Sequence, residues 1–274
     1  MSELAPVGEG FVLADVDPSS TPGFTGDKDA AGAELQATAL TLGALQERLY
    51  AESKFGGQRR VLLVLQAMDT AGKGGIIRHV VGGVDPQGVH IHAFKAPTDE
   101  EKAHDFLWRV RRELPEPGII GVFDRSHYED VLIHRVRGFS APEVIEQRYG
   151  LIREFEREIV DDATTLIKVM LHISPEEQKA RLAERLERAD KHWKFNPGDI
   201  DERERWHDYM AAYQIALERT STPDAPWYVI PADSKWYARW AVQRLLLDAL
   251  RRLDPQWPEA DYDVAEQQRR LAAS

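Results

Sequence analysis

Apolar positions along the chain follow two periods, and the two alternate. Leu35, Leu42, Leu45 and Leu49 recur at helical spacing in AELQATALTLGALQERLYAESKF, and Gly56-Gly57 marks a stop. Residues 60–66 (RVLLVLQ) form a continuous apolar run with polar ends, the pattern of a strand buried on both faces. Beyond it the pattern predicts a helix opening at 76–81, a strand at 89–94, a helix at 100–112 and a strand at 118–123. A helix at 142–161, a strand at 165–173 and charged helices at 175–189 and 201–219 follow. A strand at 227–231 and a helix at 237–253 close the series. Strands alternating with helices predict an α/β fold, a parallel sheet with helices on both faces. Residues 1–30 are rich in Gly, Pro, Ser, Thr and Asp and read as an N-terminal extension, extended or poorly ordered. Residues 31–255 form the main domain, and the tail at 256–274 packs weakly or makes a terminal helix. There is no internal repeat and no low-complexity block.

Composition adds limits. The chain has 274 residues, enough for one large α/β domain or two small ones. It has no cysteine, which removes disulfides and thiolate-bound metals and makes a reducing cytoplasm the expected location. No apolar run approaches bilayer length, and MSELAPVGEGF lacks the basic-then-apolar order of a signal peptide, so no membrane partner is expected. The net charge of −11 argues against nonspecific binding to nucleic acid or other polyanions. Any anionic ligand needs a local basic cluster.

The stretch LLVLQAMDTAGKGG is where such a ligand fits. Ala67-Met-Asp-Thr-Ala-Gly72-Lys73 leaves a buried strand and enters a helix, the setting of a P-loop (Walker A). Small residues at Ala71, Gly72, Gly74 and Gly75 let successive N–H groups turn toward an anion. The helix dipole and Lys73 add positive charge. Two letters depart from G-x-x-x-x-G-K-[ST]: Ala67 replaces the first glycine, and Gly74 stands where a Mg²⁺-binding hydroxyl belongs. Asp69 is placed to supply the oxygen instead, since hard cations take oxygen ligands. A glycine-rich turn with an incidental lysine would spell the same letters, but the flanking strand and helix favour the P-loop. A second apolar run ends at Asp124-Arg125. Asp124 is a candidate metal ligand or base, and Arg125 a candidate contact to a transferring phosphoryl group. A helix cap and a surface ion pair are the plainer roles for these two.

Three stretches, AMDTAGKGG, FDRSHYEDVL and KHWKFNPGDIDERERWHDYMAAY, occur in this order, and together they resemble the second family of polyphosphate kinases. The likeness runs from about residue 35 to the last helix. It implies a thymidylate-kinase-like P-loop fold with a helical lid, here at about 175–215. It also implies reversible, Mg²⁺-dependent phosphoryl transfer between inorganic polyphosphate and nucleotides, in a homo-oligomer, a dimer or tetramer. Asp69, Lys73, Asp124 and Arg125 match the family's catalytic positions, with Asp69 and Asp124 holding the metal. The family often has glycine at position 67, so Ala67 is a mild departure. QAMD and SHYEDVL look most like the subgroup that accepts AMP and ADP, with GMP and GDP as further candidates.

Basic residues complete the expectation. Arg181, Arg185 and Arg188 share one face of the 175–189 helix, followed by Lys191 and Lys194 around Trp193. Interleaved Glu184, Glu187 and Asp190 would suit a solvated helix, but the family's lid falls here, and Arg185 is its expected phosphate contact. Arg78, Lys95, Arg135 and Arg137 follow or flank strand ends, where open α/β sheets bind ligands. The nine histidines show no H-x-x-x-H or H-E-x-x-H spacing, which speaks against a zinc site. His127 is a weak candidate for a phosphohistidine, and the family transfers directly. Trp206, Tyr209 and Tyr213 read as lid packing. An ATP-dependent nucleoside monophosphate or small-molecule kinase on the same fold is the nearest alternative function. A noncatalytic nucleotide sensor is the alternative from another class.

Overall fold

The computed structural model describes residues 4–274. Its strands are β1 Arg60–Ala67, β2 Val89–Ala93, β3 Ile120–Asp124, β4 Thr164–His172 and β5 Trp227–Pro231. Its α-helices begin with α1 Lys28–Lys54, α2 Lys73–His79, α3 Asp99–Lys102, α4 Trp108–Arg112, α5 Ile133–Arg137 and α6 Pro142–Asp161. They continue with α7 Pro175–Glu187, α8 Gly198–Glu204, α9 Trp206–Thr220, α10 Lys235–Leu253 and α11 Val264–Ala272. The strands form one parallel sheet in the order β2-β3-β1-β4-β5. β1 is the central strand, paired on both sides, with seven of its eight residues buried.

Parallel neighbours need crossover connections, and right-handed crossovers in opposite directions place their helices on opposite faces. From β1 the chain runs outward through α2 to β2. From β3 it crosses back over β1 to β4. Accordingly α10 packs with α2 and α1 on one face, and α6 with α5 and α9 on the other. The reversal beside β1 opens a crevice at the carboxyl ends of β1 and β3, the usual ligand position in open α/β sheets.

Element boundaries depart from the sequence pattern where local capping intervenes. α1 starts at Lys28, well before Leu35, because the Asp27 carboxylate accepts from the N–H groups of Asp29 and Ala30. The single helix expected at 100–112 is two short ones. Between them Asp105 Oδ1 accepts the Leu107 N–H at 3.0 Å, diverting it from a helical partner. The 201–219 helix is likewise divided at Arg205. α5 has no counterpart in the periodic pattern, because at five residues it is too short to show a period. The N-terminal extension is docked. The Val7 N–H donates to the Trp227 carbonyl at 2.7 Å, Leu13 is buried, and the Tyr237 hydroxyl donates to the Pro22 carbonyl at 2.7 Å. Phe24 meets Trp240 with ring centroids 4.8 Å apart. A few apolar anchors therefore fix a segment whose composition resembles loose chain. α11 has no buried residue.

Candidate active site

β1 ends at Ala67 and the chain turns into α2, whose first residue is Lys73. The turn uses positive φ at Thr70 (67°) and Gly72 (124°). At Gly72 a side chain would be strained, which accounts for glycine there. Thr70 is a non-glycine residue in the left-handed region and needs outside support. Arg181 of α7 supplies it. Its guanidinium, on a residue 5% exposed, donates to the carbonyls of Thr70 (3.0 Å) and Ala71 (2.9 Å). It also donates to the carbonyls of Ala232 (2.6 Å) and Asp233 (2.8 Å) beyond β5, and to Glu177 Oε1 (2.7 Å). Gln178 adds a bond to the Asp69 carbonyl at 3.2 Å. Asp233 in turn accepts the Ser174 N–H at 2.8 Å, fixing the start of α7. A Cβ at Gly74 would meet nothing within 4 Å, so the missing P-loop hydroxyl is not a matter of space.

β3 brings the second half of the site. Leu65 of β1 is in register with Asp124, and the Arg125 N–H still donates to the Leu65 carbonyl at 3.0 Å. Arg125 itself has φ 66°, a bend that turns its side chain back over the P-loop. Its Nη2 donates to Asp69 Oδ1 at 2.9 Å, and its Nη1 lies 3.8 Å from Glu129 Oε2. Glu129 is held by Gln66 Nε2 at 2.9 Å. Burial disfavours the charge on Arg125, but the carboxylates of Glu129 and Asp69 outweigh it and hold the guanidinium above its ordinary range. Lys73 Nζ is 3.5 Å from the Ala67 carbonyl and 3.8 Å from Asp124 Oδ1. Asp69, Lys73, Asp124 and Arg125 thus meet as two crossed ion pairs. The two aspartates are about a quarter exposed in the same cleft. They offer only oxygen donors, so the pair suits a hard divalent cation.

A cleft of about 460 Å³ surrounds this group. Ten basic side chains line it against three acidic ones, inside a chain of net charge −11. Ala71, Gly72, Gly74, Gly75, Arg78, Arg185, Lys191 and Lys194 all border it. Lys95 and Arg135 do not border it. The Lys95 carbonyl accepts from Arg109 at 2.8 Å, and Arg135 Nη1 lies 3.4 Å from Glu146. Arg137 pairs with Glu202 at 2.6 Å. Four further cations line the cleft: Arg181, Arg188, Lys235 and Arg239. Arg181 and Arg188 were visible on the basic face of the 175–189 helix. Lys235 and Arg239 lie on α10, more than 150 residues from the P-loop, and only the fold brings them there. Among the described residues, Arg78 and Arg239 have no carboxylate within ion-pair distance. Burial and the charge of Arg78 hold Arg239 below its ordinary range.

Of the segment expected as a lid at about 175–215, residues between Arg181 and Lys194 border this cleft, while α9 packs against α5 and α6. Arg185 donates to the Lys194 carbonyl at 3.0 Å and to Asp199 Oδ2 at 3.3 Å. Burial, then the charge of Asp69, raises the Asp199 carboxyl above its ordinary range. Tyr209 and Tyr213 are buried in α9, and the Tyr209 hydroxyl donates to Glu202 at 2.6 Å. His127 is fully buried, its Nε2 3.3 Å from Glu156 Oε1. No phosphoryl donor reaches it there. It belongs to an interior cluster in which Lys168 Nζ donates to Glu156 Oε2 at 2.6 Å and Tyr128 donates to Glu156 Oε1 at 2.7 Å. Burial alone would raise the Glu156 carboxyl, but Lys168 and His127 hold it below the usual range.

The same fold recurs in a protein of known family. Over 98% of this chain and 95% of the other, the fold superposes on the crystal structure of polyphosphate kinase 2 from Arthrobacter aurescens TC1, with a TM-score of 0.96 and 58% identity. An AMP/ADP-polyphosphate phosphotransferase of Meiothermus ruber is 47% identical over 251 residues, 92% of each chain. An ADP-polyphosphate phosphotransferase of Rhodopseudomonas palustris is 42% identical over 234 residues, 80% of this chain and 78% of that one. The model of the polyphosphate kinase 2 family matches residues 25–258, which contain every cleft residue described above. With P-loop, second-strand Asp-Arg pair and basic cleft all inside that match, this chain belongs to the polyphosphate kinase 2 family.

Proposed function

We propose that the cleft transfers a phosphoryl group, reversibly, between inorganic polyphosphate and AMP or ADP. The observation that carries the reading is the run of cations continuing past the P-loop to the unpaired Arg78 and Arg239. A nucleoside triphosphate ends at its γ-phosphate, whereas a polymer continues and needs such a track. Lys73 and the loop backbone hold the donor phosphates. Asp69 and Asp124 would hold Mg²⁺, which when bound would offset the charge of the phosphates. Arg125, paired with Asp69, and Arg185 on α7 both border the cleft and would offset charge as the bond to phosphorus breaks. The attacking group is an ionised phosphate oxygen and needs no base. Positioning and charge stabilisation therefore account for the rate.

The test is direct. AMP, Mg²⁺ and polyphosphate, with no ATP added, are expected to give ADP and then ATP, and EDTA to stop the reaction. No product under these conditions, with product when ATP is the donor, would refute polyphosphate as substrate. GMP and GDP in the same assay give the base preference. A cytoplasmic location and a homo-oligomer complete the proposal. No described helix is long and apolar enough to cross a membrane. Trp257, Tyr262, Val264 and Leu271 stand exposed in the C-terminal segment and would be covered by another copy, which light scattering checks.

A further inference from the structure

Outside the cleft, two histidines and a glutamate converge at the open edge of the sheet. β2 is an edge strand, and His90 and His92 stand two residues apart on it, so both side chains leave the same face. Glu113, just past α4, brings its carboxylate to them. Its Oε2 is 3.1 Å from His90 Nε2 and 2.8 Å from His92 Nδ1. The three atoms lie within 4.8 Å of one another, and none of the three residues borders the cleft.

We propose that His90, His92 and Glu113 bind one divalent transition-metal ion, with Zn²⁺ the best match. Tetrahedral Zn²⁺ with bonds of about 2.0–2.1 Å sets its ligand atoms about 3.3 Å apart, so these atoms need only small shifts to accept it. Two imidazoles with one carboxylate suit zinc, whereas Mg²⁺ and Ca²⁺ prefer oxygen alone. The side chains are 45%, 32% and 29% exposed, which leaves a fourth position open to water. Without metal the same contacts are an imidazole–carboxylate pair, of little value at this exposure. The i, i+4 histidine spacing is a helical signature; on a strand the i, i+2 pair achieves the same convergence. A bound ion would clip the end of α4 to β2. That flank is otherwise tied by Arg109, which donates to the Lys95 carbonyl at 2.8 Å. The ion thus acts as a structural staple on the edge strand.

The experiment uses the full chain without a histidine tag, stripped with a chelator and kept in excess Mg²⁺ so that Asp69 and Asp124 are occupied. Calorimetric titration with Zn²⁺ is expected to show one equivalent bound. At a hundredfold excess over Kd the melting temperature rises by about 5 °C. The H90A/H92A variant loses this binding and the rise. Co²⁺ in place of Zn²⁺ gives the wild type, and not the variant, the visible bands of a low-coordinate ion. Should the double variant prove less stable without metal, E113Q keeps the size of the side chain and must lose the site as well. Absence of stoichiometric heat in the wild type, or equal binding by the variants, overturns the assignment.

Discussion

Replacing Arg181 by Met tests the claim that the phosphate loop is held in shape from outside. Met keeps much of the volume and removes every donor. Four carbonyls, of Thr70, Ala71, Ala232 and Asp233, then lose a charged partner. Hydrogen bonds to charged groups contribute about 1.5–3 kcal/mol each. The four are not additive, and water from the cleft can serve the Thr70 and Ala71 oxygens. The two on the far side set the net loss at about 3–5 kcal/mol. For a domain of this size that lowers the melting temperature by roughly 5–9 °C. Arg181→Lys restores the charge but not the planar fork that reaches two backbone segments, so it recovers only part of the loss. The melts are recorded by circular dichroism in EDTA without phosphate or nucleotide, so that lost ligand binding contributes nothing. Kinetics in parallel are expected to show a raised KM for polyphosphate. If Arg181→Met melts within about 1 °C of the wild type, less than a 1 kcal/mol loss would give, the tie is not structural. The residue would then have to act on substrate.

Three further outcomes follow from the same geometry. Lys73→Met abolishes turnover while the melting temperature stays nearly unchanged, because its partners at 3.5 and 3.8 Å are long contacts; near-normal activity would contradict the scheme. Asp69→Asn and Asp124→Asn each lower kcat by about 10²–10³ and raise the Mg²⁺ concentration needed for half activity, which a metal titration measures. Lys168→Met destabilises by about 3–5 kcal/mol by stranding a buried carboxylate, and adding Glu156→Gln recovers much of it in a double-mutant cycle. The Glu156 carboxyl is depressed in the folded state, so its contribution is present above its unfolded value and fades as pH falls through the folded one. Melts of wild type and Glu156→Gln are therefore expected to converge in acid, and a constant difference down to pH about 3 would count against this.

The sequence alone determined the alternation that makes a parallel sheet, because strands buried on both faces must be apolar throughout and the helices between them amphipathic. It also located the loop at Lys73 and the Asp124-Arg125 pair, since each sits where an apolar run stops and polar chemistry starts. Those signals are local, and a local signal survives in one dimension. What the tertiary structure decided is which distant residues share the cleft. Arg239 and Lys235 join the P-loop only because α10 packs beside α2, and no periodicity records that. Arg135 and Lys95 carry the same charge at equally suggestive strand ends, yet the helices and loops they belong to carry them away from the cleft. The convergence of Glu113 with His90 and His92 is of the same kind: twenty residues separate its members, and only the return of α4 to the edge strand closes the gap. Charge and period fix what a residue can do. Which residue meets it depends on packing, because burial of the apolar faces, not the polar groups themselves, sets how the elements come together.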